Sequence, residues 1–273
     1  MTKSICLRCI LFTLHEKEPS TNKYISIFLY WLSQLRAKAG LTDKDCLQIL
    51  IDIRTLKYVE TLHDFNDLLF EFPCPVVFYD LPSPKTVFEG MMFKYAPFDY
   101  EQDMFMYCDI DIFILKSLSS FVADCKDGTI YTHGEGLLSN SDYGALLPDT
   151  LRSTMSSKLG FSAGKFIITS KDLYVSFFST LHAIGKEYSN STFYTVEQPL
   201  YNHAIHSLPQ SVGEINTTLF DGVVSYNGRY YTKKSVFIDL CGEPGNESVH
   251  YDKVKSMFLL LHCDALPYDD KVS

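Results

Sequence analysis

Two aspartates, Asp109 and Asp111, stand one residue apart in the otherwise apolar segment MFMYCDIDIFILKSL, residues 104–118. If this segment is a continuous strand, both carboxylates point to one side while Ile110 and Ile112 pack on the other. Like charges in apolar surroundings repel, and one carboxylate would take up a proton unless a cation lay beside it. Hard divalent cations such as Mg²⁺ and Mn²⁺ prefer oxygen ligands, so the pair predicts a metal site with open positions for substrate phosphates.

A second interpretation of the same residues needs no metal. The strand could end at Cys108, and both aspartates would then be solvated turn residues or a helix cap for the segment LKSLSSF that follows. A D-x-D pattern is common by chance, so the choice depends on the elements around it.

The first half of the chain alternates apolar runs of strand length with helical patterns. Strands are predicted at 5–14, 46–53 and 74–81, and helices at 22–40 and 61–72. Such alternation is typical of a parallel sheet with right-handed crossovers and helices on both faces. Ligands of these sheets bind at the carboxyl ends of the strands, where the two aspartates would lie.

The second half has a looser pattern. It begins with a loop at 127–150, rich in Gly, Ser and Asp, which holds one short strand. Further elements are predicted as a strand at 164–170, helices at 171–188 and 196–207, a hairpin-like piece at 223–231, a strand at 235–242 and a helix near 249–262. We predict one α/β domain over residues 1–273, with lobes at 1–116 and 117–273.

Charge and composition exclude several classes of function. The chain has 24 Lys and Arg against 33 Asp and Glu, a net charge of −9, and it contains no basic block of the kind that binds a phosphate backbone. Nucleic acid is therefore not an expected partner. No apolar run reaches the length of a membrane span, and no secretory signal is evident, so we expect a cytoplasmic protein whose eight cysteines are reduced.

Four further segments give the aspartates a context. They are FKYAPF at 93–98, GFSAGKFIITSKDL at 160–173, TVEQPLYNHAI at 195–205 and FIDLCGEPGN at 237–246. Together with the D-x-D strand they resemble the motifs of GT-A glycosyltransferases, and most closely those of glycogenin-like family 8 enzymes. The resemblance implies a GT-A fold with a mixed, mostly parallel sheet, in which a Rossmann-like nucleotide-binding lobe is joined to an acceptor lobe.

The resemblance implies a metal-dependent enzyme that takes its sugar from a UDP-sugar and passes it to a glycan or glycoprotein hydroxyl. The donor would contact Thr13, Leu14, Asp52, Arg54, Lys94, Asp109, Ile110, Asp111, Ser162, Ala163, Gly164, Gln198 and Gly242. Asp52 is equally explained as a strand-end residue. UDP-xylose, UDP-galactose and UDP-glucose are the donors considered, and the segment CGEPGNESVHYDK resembles chlorovirus glycosyltransferases that are xylosyltransferase-like.

Three residues depart from the family pattern. Ser162 and Glu197 stand where the family has Asn and Asp, and Asp239 stands where it has a metal-binding His. A carboxylate can replace an imidazole on a hard cation, so Asp239 remains a candidate third ligand of Mn²⁺ or Mg²⁺, beside Asp109 and Asp111. His250 is the competing candidate, and neither residue need be a ligand.

Glu197 is the candidate catalytic residue, because its counterpart in the resembling enzymes lies beside the donor sugar. It could be a general base in an inverting reaction or could stabilise the sugar's developing positive charge in a retaining one. It could also be a capping acid at a helix start. Asp142 and Glu135 are alternative bases in the loop at 127–150.

Three other classes of protein are alternatives to a glycosyltransferase. A sugar nucleotidyltransferase should have a Gly-rich basic loop after the first strand, and TLHEKEPST provides neither glycine nor clustered positive charge. A non-catalytic carbohydrate- or nucleotide-binding protein would keep the D-x-D as a relic or a Ca²⁺ site. A dehydrogenase is disfavoured because no G-x-G-x-x-G follows a strand.

Overall fold

The computed structural model describes residues 3–139, 154–188, 197–209, 213–220, 223–225, 236–240 and 247–262. The strands in these ranges are β1 Ile5–Leu11, β2 Cys46–Asp52, β3 Val76–Leu81, β4 Met104–Cys108, β5 Ile112–Ile114, β6 Thr129–Leu137, β7 Leu159–Ile168, β8 Glu214–Asn216, β9 Val223–Ser225 and β10 Phe237–Asp239. The α-helices are α1 Lys23–Lys38, α2 Ile53–Val59, α3 His63–Phe70, α4 Val87–Met92, α5 Leu118–Phe121, α6 Lys171–Glu187, α7 Gln198–Ser207 and α8 Glu247–His262. Short 3-10 helices cover Pro19–Thr21, Phe93–Tyr95 and Thr218–Phe220.

The main sheet has the strand order β3-β2-β1-β4-β7-β6-β8. β1 pairs in parallel with β2 on one side and with β4 on the other, while β7 is antiparallel to β4. The chain therefore moves outward from β1 to β3 and then returns to the opposite side of β1. Open α/β sheets bind their ligands in a crevice at such a reversal, which here lies at the carboxyl ends of β1 and β4.

Helices cover both faces of the main sheet. One apolar cluster joins the sheet to α1, α2, α3, α5 and α8, and a second joins its other face to α6 and α7. Alternate residues of β1 serve the two clusters, Leu7 and Cys9 in the first and Cys6 and Ile10 in the second. The predicted α/β class, with helices on both faces of a mostly parallel sheet, is confirmed.

Several predicted boundaries of strands and loops differ from those in the structure. The strand predicted at 164–170 begins at Leu159, because pairing with β6 extends it through the Gly- and Ser-containing half of its sequence. The predicted loop at 127–150 contains the nine-residue β6, and residues 140–153 lie outside the described residues. The main sheet also continues past residue 116, since β4 of the first predicted lobe pairs with β7 of the second.

The expectation that Asp109 and Asp111 lie within one strand is wrong. β4 ends at Cys108, and the Ile112 N–H donates to the Asp109 carbonyl at 3.1 Å, which closes a turn. The chain then enters β5, which belongs to a second, small sheet of order β5-β10-β9. The two aspartates therefore occupy a corner between sheets.

No helix in the described part of the chain combines the length and apolar character that crossing a membrane requires.

Candidate active site

The turn Asp109–Asp111 is held by backbone hydrogen bonds at both ends. The Asp109 N–H donates to the Gly164 carbonyl of β7 at 2.8 Å, and the Leu240 N–H, just after β10, donates to the Asp111 carbonyl at 3.0 Å. The turn is therefore anchored to both sheets at the carboxyl end of β4.

The Asp109 carboxylate lies in a closely packed polar pocket. The Tyr107 hydroxyl donates to Asp109 Oδ1 at 2.5 Å, and a Cβ atom added to Gly164 would lie 2.8 Å from Asp109 Oδ2. Burial raises the pKa of Asp109 to about 7, and neighbouring carboxylates add to this, whereas the Lys94 ammonium acts against it. Additional positive charge at this position would stabilise the carboxylate form.

His250, in the first turn of α8, faces the second aspartate of the turn. Its Nε2 lies 3.3 Å from Asp111 Oδ2, and the residue is 3% exposed. Neither ring nitrogen has a well-aligned hydrogen-bond partner among the described residues, and the Tyr24 ring packs edge-on at 5.6 Å. Buried imidazole nitrogens are normally hydrogen-bonded or bound to a metal, so His250 and Asp111 together suit a shared cation.

Asp239, the last residue of β10, is engaged by a lysine. Lys165 of β7 is fully buried, and its Nζ lies 2.7 Å from Asp239 Oδ2. Burial alone would lower the pKa of Lys165, but the Asp239 carboxylate outweighs burial and raises it. This pair is therefore a buried, charged hydrogen bond that links β7 to β10.

A second buried ion pair lies beside β7. Lys94, which is fully buried, forms an ion pair with Glu197 and donates to the Ala163 carbonyl at 3.1 Å. The Ala163 N–H donates to Gln198 Oε1 at 3.3 Å, and Gln198 Nε2 donates to Glu135 Oε2 at 3.3 Å. Glu197 occupies the N-cap position of α7 without a side-chain capping bond, so its carboxylate serves the pair with Lys94.

Asp52 holds the end of β1 in place. Its carboxylate accepts from the Thr13 N–H at 2.8 Å and from the Ser83 hydroxyl at 2.7 Å. It also caps α2 by accepting from the N–H groups of Arg54 and Thr55. This geometry matches the strand-end alternative for Asp52, which positions Thr13 at the crevice.

The loop after β1 is tied to its neighbours through backbone carbonyls. Arg54 donates to the carbonyls of His15 at 2.7 Å and Lys17 at 2.9 Å, and the Lys17 N–H donates to the Leu14 carbonyl at 2.8 Å. The His15 N–H reaches the Pro84 carbonyl at 2.8 Å. Arg54 therefore shapes the loop that carries Thr13 and Leu14 at the carboxyl edge of the sheet.

Comparison with known proteins finds likeness at the level of structure. No protein-family model matches the sequence. No curated protein sequence matches it. Mouse xyloside xylosyltransferase 1 superposes with a TM-score of 0.53 at 12% identity, over 89% of this chain and 99% of the other. The galactosyltransferase LgtC, in complex with donor and acceptor sugar analogues, also superposes with a TM-score of 0.53 at 12% identity, over 93% and 95%.

The bifunctional glycosyltransferase WbbM gives a TM-score of 0.57 at 12% identity, over 94% of this chain and 50% of that protein. The chain has the GT-A fold. At these identities the likeness concerns the GT-A architecture, so the chemistry must be judged from the side chains in the crevice.

The chemistry of the described side chains at this GT-A crevice bears on whether it can hold a metal ion. No group of three or more His, Cys, Asp or Glu side chains in the described ranges is already gathered around one point. Asp109 and Asp111 supply two carboxylates from one turn, and the imidazole of His250 lies 3.3 Å from Asp111 without a well-aligned hydrogen-bond partner among the described residues. This donor set fits a divalent cation, whereas Asp239 is already bonded to Lys165.

The other predicted site residues are placed as follows. The Ser162 hydroxyl accepts from the Gly164 N–H at 3.3 Å, and Ile110 is 7% exposed and packs in the core. Asp142 and Gly242 lie outside the described residues.

Tyr107 and Lys165 were not anticipated from the sequence. The sequence does carry an indication that Lys165 is unusual, because it is a charged residue at the start of the otherwise apolar run KFII. Tyr107 precedes Asp109 by two residues, the spacing at which strand side chains share a face. A tyrosine in an apolar strand is commonly a core residue, however, so the sequence alone does not single it out.

Proposed function

We propose that this protein is a metal-dependent glycosyltransferase, which moves a sugar from a UDP-sugar to a hydroxyl group of a glycan or glycoprotein. The observation that carries the proposal is the turn Asp109–Asp111 with His250 facing it, at the crevice of a GT-A fold. UDP-xylose, UDP-galactose and UDP-glucose are the candidate donors. The chlorovirus-like segment at 241–253 keeps xylosyl transfer among them.

Asp109, Asp111 and His250 would hold the Mn²⁺ or Mg²⁺ ion. When bound, such an ion acts as a Lewis acid that stabilises the charge developing on the departing diphosphate. Thr13 and Leu14 are held at the adjacent edge and would contact the nucleotide through their backbone groups. The Asp52 carboxylate holds the Thr13 N–H, so this part of the site is preorganised.

Lys94 and Glu197 are the charged groups proposed to act on the donor sugar. The Lys94 ammonium contacts Glu197 and the Ala163 carbonyl, so it fixes the orientation of the Glu197 carboxylate. A fixed carboxylate can accept the acceptor's proton or stabilise positive charge on the sugar. Glu135, bonded to Gln198 nearby, and Asp142 remain alternative bases.

A non-catalytic carbohydrate- or nucleotide-binding protein is the second candidate. The observation in its favour is the pair Lys165–Asp239, in which the residue at the family's third-ligand position is already neutralised. That function predicts sugar or nucleotide binding that does not depend on a metal.

The test is calorimetric titration of UDP, with and without Mn²⁺, on the wild type and on Asp111→Asn. We expect UDP to bind in the presence of Mn²⁺ and its affinity to fall by roughly tenfold or more in Asp111→Asn, because a metal-bound carboxylate is removed. Asp43→Asn is the matched control, since Asp43 is exposed and precedes β2 at the opposite edge of the sheet.

A panel of UDP-sugars would then identify the donor through slow hydrolysis of one member. UDP binding of equal strength without metal and in Asp111→Asn would favour the binding protein. Absence of UDP binding under every metal condition would refute UDP as the leaving group.

A further inference from the structure

The two strands that hold the ends of the Asp109–Asp111 turn, β7 and β10, are joined to each other by a buried ion pair. Gly164 accepts from the N–H at one end of the turn, and Leu240 donates to the carbonyl at its other end. The next residue along β7 is Lys165 and the preceding residue on β10 is Asp239, and these two form the buried pair. The turn, its two backbone hydrogen bonds and the Lys165–Asp239 pair therefore form one closed ring.

We propose that Lys165 and Asp239 are positioning residues, a clamp that fixes the turn by joining the main sheet to the small sheet. β10 pairs with β5 and β7 pairs with β4, so the clamp spans the two strands that enter and leave the turn. Because the turn itself is three residues of irregular backbone, its geometry depends on such outside restraints.

The environment of the pair favours a clamp over a metal ligand. The Lys165 side chain is completely buried, and that of Asp239 is 12% exposed. Buried charges persist where they are paired and hydrogen-bonded, and removal of one partner strands the other. The Lys165 ammonium lies on Asp239 Oδ2, and a divalent cation bound to the other oxygen of this carboxylate would be repelled by that nearby positive charge. Asp239 therefore stabilises the site without coordinating the ion.

Single substitutions distinguish a clamp from a metal ligand, because Lys165 supports Asp239 in a clamp but competes with the metal if Asp239 is a ligand. If Asp239 were a ligand, Lys165→Met would free its carboxylate, and Mn²⁺ affinity in the presence of UDP would stay the same or rise. If the pair is a clamp, Lys165→Met and Asp239→Asn should each weaken Mn²⁺ binding by roughly tenfold, and the double variant should be no weaker than either single, since both remove one interaction.

The metal-binding readout rests on the proposed function, so a second readout uses the metal-free protein. Hydrogen exchange of the amides of Asp109 and Leu240 should be roughly tenfold faster in Lys165→Met than in the wild type, because the restraint on their carbonyl partners is lost. Lys44→Met, at an exposed lysine before β2, is the matched control and should leave both amides unchanged. If Lys165→Met fails to fold, Lys165→Gln keeps a hydrogen-bond donor without the charge and should show a smaller change in the same direction.

The outcomes separate the two proposals. Faster exchange in the variants of a protein that binds neither UDP nor Mn²⁺ would support the clamp and reject the proposed metal-dependent use of a UDP-sugar. Unchanged exchange would overturn the clamp. Mn²⁺ binding that survives Lys165→Met but is lost in Asp239→Asn would also overturn it and would make Asp239 a ligand.

Discussion

At the scale of single residues, Gly164 allows the Asp109 carboxylate its position. The Cα of this glycine lies so near the carboxylate that an added Cβ would come within 2.8 Å of Asp109 Oδ2 and 3.3 Å of Ile112 Cδ1. One of these groups must move if any other residue stands here. The space beside the carboxylate therefore requires a residue without a side chain, and Gly164 provides this at the point where β7 anchors the turn.

We therefore expect Gly164→Ala to weaken metal-dependent UDP binding by roughly tenfold, with an overpacking cost of roughly 1–3 kcal/mol in the free energy of unfolding. Calorimetry and urea denaturation measure the two effects. Gly134→Ala is the control, because its Cβ would contact only side-chain ends of Thr217 and Leu159, at 3.3 and 3.4 Å. Equal loss of binding in both variants would contradict a specific role for Gly164.

At the scale of elements, β1 supports the segment that presents Lys94. Arg8 of β1 is fully buried, and its guanidinium donates to the carbonyls of Lys94 at 3.3 Å, Ala96 at 2.7 Å and Phe98 at 3.2 Å. Gln48 of β2 accepts from Arg8 Nε at 3.0 Å and Nη2 at 2.8 Å, which fixes the plane of the guanidinium. The sheet thus holds an irregular segment through its carbonyl groups.

Arg8→Met should leave two buried acceptors, the Lys94 carbonyl and Gln48 Oε1, without the guanidinium that donates to them. We therefore expect the free energy of unfolding to fall by roughly 3 kcal/mol. Hydrogen exchange in residues 93–99 should increase at the same time. Arg36→Met removes only an ion pair with Glu71, whose partners are 32% and 68% exposed, and should cost less than about 1 kcal/mol. Similar losses in guanidinium denaturation of the two variants would argue against this role for Arg8.

At the scale of the whole molecule, local patterns predicted the layers of the fold, because the apolar spacing of a strand or helix is visible in consecutive residues. The apolar runs of β1 and β2 and the spacing of apolar residues in α1 are of this kind, and each lies within a few residues of its expected bounds. The placement of Lys94 against Glu197, or of His250 against Asp111, depends on residues more than 100 positions apart. No local pattern carries such information.

The corner after Cys108 illustrates the same limit. An uninterrupted apolar sequence on both sides of the aspartates is typical of one strand, and the chain instead divides it between two sheets. The division follows from the pairing of β5 with β10, a segment more than 120 residues further on. The candidate third ligand was likewise undecidable, since only the tertiary structure brings Lys165 to Asp239.

The pH dependence of stability is a property of the whole molecule to which His206 of α7 should contribute. Burial lowers the pKa of His206, and the charges of Lys158 and His203 lower it further, although a hydrogen bond with the Leu159 carbonyl opposes them. The folded state therefore binds a proton at His206 less readily than the unfolded chain does. Stability from this group is complete above the unfolded pKa and is lost as the pH falls below about 6.5.

His206→Gln keeps a hydrogen-bond donor for Leu159 but cannot take up a proton. We expect the drop in urea midpoint between about pH 7.5 and about pH 5.5 to be smaller in this variant than in the wild type. Asp109, whose raised pKa acts in the opposite sense, is present in both proteins and cancels in the comparison. An equal drop in both proteins would mean that His206 has the same pKa in the folded and unfolded chain. The loss of stability at low pH would then arise from other groups in the molecule.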